Sequence, residues 1–579
     1  MMKAVTEHNS AFARKPFLVG KAFRLYLLAS VLTVAASQIA VIVDATIVGN
    51  MLGGDALAAV NLSKPLQQGF MSLCWLYLAG ATMLSGMAIG RGDRQRADKF
   101  FTCCIAATVV LGGLLTVAGM VWFSPLSQAI CQLETLREMS DDYMRITVLT
   151  AVPQMLTIVV NQFVTIDGNP KLVSQNVIVG NIFNIIFDVV FIKYLGWGIS
   201  GAAAATGLMY VICLLMVLPH FFRKGHLRLR TFKASDVEPG RMLAFGLPLF
   251  FSTVLLSVQF LGNNYVAGRF IGGDGLKALA VCMQMFSFSM IVLTGTLRTM
   301  QPVGSILRGL DDSTGMHILL HRGYRFMAVC FAVFTAILVF FPTQAGALLG
   351  ITGEQEMVQV RIALPLFSLH IVAQAMMCNI LPFYQFYGRN NMAMVLSASQ
   401  ALLPMVFFWL LRGNWAGFIC GQAATFAIIY IWSIILRRKD RNLSPLFLIP
   451  GNDSAKVADM TVLATKQSLS EAVSTLRKVL AERNVSDHTV FVAALCTEEF
   501  AKNIIEHGKA SAIDIAATVS GTGVTVSLRD DGVAFNPVDF VKESGEKTGL
   551  GLTIAGAYCK DVKYRYIFNQ NMVTLTIDN

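Results

Sequence analysis

Runs of roughly 18–25 apolar residues follow one another along the first three quarters of this chain, and then they stop. A segment of that length spans the hydrocarbon core of a bilayer as a helix, and a chain with many of them has few other folds open to it. We count about twelve such runs, near residues 24–49, 57–89, 100–124, 145–166, 172–194, 198–222, 242–262, 276–306, 323–342, 360–386, 391–411 and 416–436. At 55% hydrophobic and 14% charged residues, the 579-residue chain is too apolar for a water-soluble globule. The first run is too long for a cleaved leader and lacks a small-residue cleavage pattern, so it reads as a retained span.

The formal net charge of +11 does not point to nucleic acid, because the tail beyond Ala455 has 13 Lys or Arg against 15 Asp or Glu. The surplus sits on alternate loops of the apolar part. Arg14, Lys15 and Lys21 precede the first span. Arg91, Arg94, Arg96 and Lys99 follow the second, Arg223 to Lys233 the sixth, and Arg437, Arg438, Lys439 and Arg441 the last. The loop after span 3 is instead acidic, with Glu134, Glu138, Asp141 and Asp142. Positive charge marks the cytoplasmic side, so both termini are expected there, in the plasma (inner) membrane. Eleven cysteines include no CxxC pair and read as small apolar residues.

The apolar part repeats itself. With a shift of 219 residues, Gly49, Gly53, Gly54, Asp55, Leu57, Ala59, Gly90 and Asp93 fall on Gly268, Gly272, Gly273, Asp274, Leu276, Ala278, Gly309 and Asp312. With a shift of 220, Gly168 falls on Gly388 and Gly201-x-Ala203-Ala204 on Gly421-x-Ala423-Ala424. Two copies of six spans, both starting inside, are parallel repeats about an axis along the membrane normal, and transporters put their substrate path between such halves.

Val43-Asp44-Ala-Thr46-x-Val48-Gly49, Gly90-Arg91-Gly92-Asp93, Asp167-Gly168-Asn169-Pro170-Lys171, Gly196-Trp197-Gly198-x-x-Gly201-Ala-Ala and Gly246-Leu247-Pro248 occur in that order. Over residues 20–438 this pattern resembles the multidrug and toxic compound extrusion (MATE) transporters. The resemblance implies two six-helix lobes, a central cavity, and export of organic, often cationic or drug-like, compounds against an inward H⁺ or Na⁺ gradient.

Two acids lie clearly inside spans, Asp44 and Asp188. Counting about 1.5 Å per residue, Asp44, Asp188 and Thr206 fall at similar depth in the outer half. Asn181, Asn184 and Asp188 share one helix face. Two carboxylates, an amide and a hydroxyl suit a hard cation or a shared proton. In the MATE comparison Asp44, Asn184, Asp188 and Thr206 match the coupling site of the N-terminal lobe in one branch, with Gln38 and Asn161 as hydrogen-bonded neighbours. Asn263 stands where the second lobe would repeat Asp44, so no second cation site is expected. Lys64 and Arg298 are intramembrane cations, free to pair with an acid, to snorkel or to line a wet cavity. The many Met and Phe residues read as lipid-facing bulk.

The tail is different material. Residues 442–455, with Pro445, Pro450 and Gly451, read as a short linker. Ser468-x-x-Glu471 reads as a capping box for a helix with the stripe Leu469, Val473, Leu476 and Leu480. A second helix, about 488–507, carries Glu499, Asn503 and His507 on one face, and strands alternate about a Gly521–Gly523 turn and near 562–568 and 572–577. Glu499-x3-Asn503-x3-His507, Asp530-x-Gly532-x-Ala534 and Gly549-x-Gly551 in this order resemble the Bergerat-type ATPase superfamily of gyrase and histidine kinases. Over 459–579 the likeness is strongest to the anti-sigma-factor serine kinases.

That resemblance implies ATP with Mg²⁺. Asn503 is a suitable Mg²⁺ ligand. Asp530 accepts from the adenine amino group, and Gly532 lets the ring approach the backbone. Gly549 and Gly551 open a helix facing the phosphates, and Glu499 acts as general base. His488 lacks a paired dimerisation helix, so histidine-type autophosphorylation is not expected. Ala534, where glycine is common, and the short lid between Pro537 and Gly549 depart from the pattern.

The expected organisation is a cytoplasmic segment (1–23), two lobes (24–230 and 231–440), a linker (441–458) and an ATP-binding domain (459–579). The fold expected is an all-α membrane domain of twelve helices followed by an α/β sandwich. Three functions fit: an ion-coupled exporter of small organic compounds with a regulatory or serine-kinase-like domain acting on a protein target, a membrane sensor kinase using a transporter fold, or an ATP-driven pump. No GxxxxGK[ST] occurs, which removes the ATP-binding-cassette motor, and the acids inside the spans favour transport.

Overall fold

In the computed structural model, residues 14–130, 134–222, 227–349, 351, 353–451, 456–483, 485–521, 523–544 and 557–578 are described. The chain divides into two compact units, one of residues 25–311 and 320–449, the other of residues 1–24, 312–319 and 450–579.

The first unit is helical. Its first lobe holds α1 (Phe17–Leu52), α2 (Gly54–Arg91), α3 (Arg94–Val121), α4 (Glu134–Leu149), α5 (Ala151–Ile166), α6 (Pro170–Val189) and α7 (Gly198–Val217). The second holds α8 (Pro239–Phe270), α9 (Gly273–Gly309), α10 (Ser313–Phe340), α11 (Glu354–Cys378), α12 (Asn390–Leu410) and α13 (Ala416–Lys439). Among the described residues eleven helices are long and apolar enough to cross a membrane, and twelve spans result when α4 and α5, bent by 51° at Thr150, count as one. The chain is therefore a multi-pass membrane protein. The acidic stretch read as the loop after span 3 is helical instead, since Glu134 to Asp142 lie within α4. Their spacing suits an amphipathic helix as well as a loop, and hydropathy alone does not separate the two.

The shared motifs explain the helix boundaries. Gly92 takes φ +81° to end α2, and the Asp93 side chain then accepts from Arg96 N at 3.0 Å to cap α3. Asn169 caps α6 by accepting from Leu172 N, with Pro170 in the first turn, where its missing N–H costs nothing. Asp167 accepts from Leu227 N at 3.2 Å and lies 3.0 Å from His220 Nε2 and 3.4 Å from Arg94 Nη1, fastening one end of the first lobe.

The repeat is visible in how the lobes touch. A Cβ on Gly90 would collide with Ile306 O and lie 2.8 Å from Gly309 Cα. One on Gly309 would collide with Met87 O and lie 2.9 Å from Gly90 Cα. Gly90 with Gly309 and Met87 with Ile306 are equivalent at the 219-residue shift, so this reciprocal contact is what a two-fold axis demands. Only glycine lets the α2 and α9 backbones come this close.

The stretch read as a linker is partly packed. Leu443, Leu448 and Ile449 are buried, Tyr384 Oη donates to Leu446 O, and Arg389 Nη1 donates to Leu448 O at 2.5 Å. The prolines turn this segment without freeing it.

The second unit is a five-stranded antiparallel sheet in the order β1-β2-β3-β5-β4, with β1 (Lys456–Leu463), β2 (Ala512–Ser520), β3 (Gly523–Asp530), β4 (Asp561–Ile567) and β5 (Gln570–Asp578). Helices α14 (Lys466–Ala481) and α15 (Asp487–His507) lie on one face, and α16 (Pro537–Ser544) follows β3. Leu469, Val473, Leu476 and Leu480 pack on Ile513, Ile515, Val526 and Leu528, the two periodicities meeting in one core. Thr465, not Ser468, caps α14: its side chain accepts from Ser468 N at 3.3 Å. Strand β1 begins before residue 459, in a stretch that reads as polar because its outer face carries Asp459 and Thr461.

That outer face is covered within the same unit. Lys15 N donates to Thr461 Oγ1, and Gln570 Nε2 donates to Leu18 O. Arg14 pairs with both oxygens of Asp312 at 2.7 and 2.8 Å, and approaches Asp514 at 3.4 Å and Asp459 at 3.5 Å. Arg529 Nη2 reaches Asp312 at 3.3 Å. Burial alone would discharge these groups. Against burial, Arg14 and Arg529 hold the Asp312 carboxyl far below the usual carboxylate range, and Asp312, Asp514 and Asp459 raise Arg14.

Candidate functional site

A cavity of about 460 Å³ opens inside the helical unit. One stripe of α1 lines it, Thr33, Ser37, Ala40, Val41 and Asp44, at the spacing of one helix face. Asn161, Asn181, Asn184 and Thr206 line it from α5, α6 and α7. Gln38 lies off the α1 stripe and is not among the lining residues.

The Asp44 and Asp188 carboxyl groups are close electrostatic neighbours, with no hydrogen bond between them. Asp188 is fully buried, and neither of its oxygens has a hydrogen-bond partner; the side-chain nitrogens of Asn181 and Asn184 are likewise orphaned. Buried polar groups are normally satisfied. Two carboxylates this close require a proton or a cation between them, and the donor set of carboxylate, amide and hydroxyl oxygen fits either one. Thr206 Oγ1 donates to Ala202 O at 3.2 Å, which leaves its lone pairs for a ligand. Asn161 Oδ1 accepts from Asn176 Nδ2 at 3.0 Å, a partner that sequence spacing did not reveal. Among the described residues no group of three His, Cys, Asp or Glu could hold a metal ion. A π-helical turn, Val190–Tyr194, begins two residues after Asp188, a distortion that often accompanies functional positions. In the second lobe Asn263 is buried with both side-chain polar atoms unpartnered, and no carboxylate takes the place of Asp44.

The second unit has a pocket of about 140 Å³, lined by Asn503 and His507 from α15, Asp530 at the end of β3, Ala534 and Phe535 beyond it, and Asn571 from β5. Asp530 Oδ1 accepts from Gly532 N at 2.8 Å and from Asn571 Nδ2 at 3.0 Å, while Oδ2 has no donor among the described residues. Burial raises the Asp530 carboxyl above its ordinary range, and the Asn571 and Gly532 hydrogen bonds pull it back. Gly532 is needed for a closer reason than ring access: a Cβ there would overlap Gly508 O, which accepts from Val533 N at 2.8 Å.

Asn571 escaped sequence reasoning. It pairs across from Asp530, donates also to Val533 O, and accepts from Phe535 N and Tyr564 Oη, so it holds the whole corner. Two consecutive amides opening a strand, Gln570-Asn571, were the available signal. Asn503 Nδ2 donates to Glu499 O at 2.8 Å, leaving its oxygen for a cation. Glu499 sits one turn before Asn503, half-buried, and is not among the lining residues. Gly549 and Gly551 lie outside the described residues.

Comparison with known proteins follows the same division. A family described as MatE matches residues 29–190 and 248–410, and a histidine kinase-like ATPase domain matches 462–577. The multidrug export protein MepA of Staphylococcus haemolyticus is 21% identical over 261 residues, 44% of this chain and 57% of that protein. An FAD transporter of Shewanella oneidensis is 25% identical, covering 44% of this chain and 60% of its own length. The DNA damage-inducible protein F of Escherichia coli is 22% identical over 65% of this chain and 83% of its own. The chain thus spans somewhat over half the length of the first two relatives. Among solved structures, a MOP superfamily transporter from Pyrococcus furiosus superposes with a TM-score of 0.65 at 19% identity, over 72% of this chain and 95% of that one. A MATE crystallised with MaD5 gives 0.66 at 19% identity, over 73% and 98%. These likenesses concern the fold.

Proposed function

We propose, from the premise that this chain belongs to the MatE family and carries a histidine kinase-like ATPase domain behind it, that it is an ion-coupled exporter of drug-like organic compounds regulated through its tail. The observation that carries this reading is the close approach of Asp44 and Asp188 at the edge of a drug-sized cavity. Two carboxylates in a low-dielectric site do not stay charged side by side. One H⁺ or Na⁺ taken from outside relieves the repulsion within the pair, and its release inward restores it. A cavity that reorganises with that loading exchanges an inward ion for an outward compound. The relatives named for multidrug export and for FAD transport support small organic cargo.

The tail binds ATP on this reading. Asp530 Oδ2 takes the adenine amino group, Asn571 keeps that carboxylate aimed, and Phe535 supplies an apolar wall. Asn503 would hold Mg²⁺, which offsets phosphate charge when bound. Glu499 is the candidate base for phosphoryl transfer to a protein serine or threonine, or to water. The regulatory role is supported by the neighbour of Asp530: Arg529 ends in the buried cluster with Arg14 and Asp312, the residue that leads into α10. Both termini are cytoplasmic, in the inner membrane, as the basic loops indicate.

Reconstitution into proteoliposomes tests it. A pH or Na⁺ gradient alone drives export, added Mg·ATP on the tail side changes the rate, and Glu499→Ala removes phosphoryl transfer while export persists. Export that needs ATP and survives an ionophore collapsing every gradient overturns the reading.

A further inference from the structure

We infer that the cavity selects organic compounds bearing an acidic group, and that Arg298 is the residue that binds that group. The inference rests on reading the cavity as the transport path.

Among the described residues Arg298 is the one from the second lobe that lines the cavity. It sits on α9, in the long apolar stretch between Leu276 and Leu307, where a cation is costly unless something compensates it. Among the described residues Arg298 has no acid within ion-pair distance and no hydrogen-bond acceptor, so the donors of a planar guanidinium fork remain for a cavity occupant.

The charge balance of the walls points the same way. Two cations, Lys64 and Arg298, line the cavity, and Asp44 with Asp188 behind it are the carboxylates. Lys64 stands within electrostatic range of Asp44. The two carboxylates and Lys64 belong to the first lobe, whereas Arg298, on the second, has no acid within ion-pair distance among the described residues. A ligand anion is the missing partner. Carboxylate, sulfonate and phosphate each match the guanidinium bidentately. Trp75, Tyr143 and Tyr210, lining the cavity from the first lobe, supply faces for a flat ring. The cargo is therefore an aromatic or otherwise amphipathic acid, its ring against these side chains and its anionic group on Arg298. This departs from the cationic cargo that the family likeness implies.

Fluorescein and rhodamine 123 share a xanthene skeleton, one anionic and the other cationic. With full-length protein in proteoliposomes under an imposed ion gradient, fluorescein is exported. Arg298→Gln slows its export at least ten-fold and leaves rhodamine 123 export, where present, within two-fold, while Arg298→Lys restores part of the loss. Equal loss of both dyes in Arg298→Gln, or export of rhodamine 123 with none of fluorescein, overturns the inference. If no gradient moves either dye, the transporter reading fails by itself. Dye binding to purified protein, followed by tryptophan quenching, then decides: fluorescein binding abolished by Arg298→Gln supports the site, and absent or unchanged binding refutes it.

Discussion

The two lobes are copies of one plan, and they differ where chemistry is done. Gly90 and Gly309 keep the same contact with opposite partners, so the scaffold has stayed symmetric. The charges have not. The first lobe has Asp44 where the second has Asn263, and the second has Arg298 where the 219-residue shift puts Ala79 in the first. Asp93 and its equivalent Asp312 both cap the helix that follows, but Asp312 also lies buried between two arginines. Backbone crossings tolerate almost no change, because any Cβ there meets main chain. Side chains lining a cavity or facing another segment are free to diverge, so on the proposed reading a symmetric frame carries ion chemistry in one half and cargo binding in the other.

The sharpest way to break this division is to neutralise the first lobe. Asp188→Asn or Asp44→Asn should reduce gradient-driven export to background in proteoliposomes while leaving the protein folded. Adding Asn263→Asp to the Asp44→Asn protein should rescue nothing; recovered export would show that the lobes remain interchangeable.

Next come the paired aspartates. Asp312→Asn strips the shared counter-charge from Arg14 and Arg529, a loss of about 3–5 kcal/mol for a buried pair. It should appear as faster limited proteolysis of the tail and loss of any ATP effect on export. Asp93→Asn should change stability by less than about 0.5 kcal/mol, because asparagine caps helices as well as aspartate does. Equal effects from the two would contradict their different environments.

Smaller, and symmetric by design, are the glycines. Gly90→Ala and Gly309→Ala should each destabilise by roughly 1–3 kcal/mol, as overpacking does, lowering the melting temperature by similar amounts. Gly113→Ala, with nothing within 4 Å of the new Cβ, should be neutral or slightly stabilising. A large asymmetry between Gly90 and Gly309 would weaken the two-fold description.

The gentlest test concerns the tail pocket. Burial raises the Asp530 pKa above the ordinary 3.9 of aspartate, so on acidification its charged acceptor is lost at a higher pH than that of a free aspartate. Binding of adenosine, which has no phosphate to titrate, should weaken on acidification from pH 8 to pH 5. Asp530→Asn should weaken it at every pH by about 1–3 kcal/mol and flatten the profile. Affinity that rises on acidification would contradict the acceptor role.

Much of this was legible beforehand, and the exceptions have physical causes. Span lengths follow from bilayer thickness, and equal depth along helices was enough to bring Asp44 and Asp188 together. Gln38 fell off the cavity stripe because depth says nothing about rotation of the helix, where one residue is 100°. Strand β1 and Arg14 escaped notice for a shared reason. Each is polar because it faces the other, and a surface covered by a distant segment looks from its own sequence like a surface in water. The packed residues 441–449 hid behind prolines that bend a chain without loosening it.

The Asp312 cluster also imposes an order on assembly. Its arginines lie 298 residues before and 217 residues after the aspartate they share. During synthesis the amino-terminal arm and the loop at Asp312 are finished long before Arg529 leaves the ribosome, and domains fold as they emerge. Until β1 and β2 form, Arg14 has only part of its partner set, and Asp312 waits for Arg529 on β3. The lock therefore closes last, and a chain truncated within the tail is left displaying its charges, distinguishable from a finished one by any protease that samples open segments.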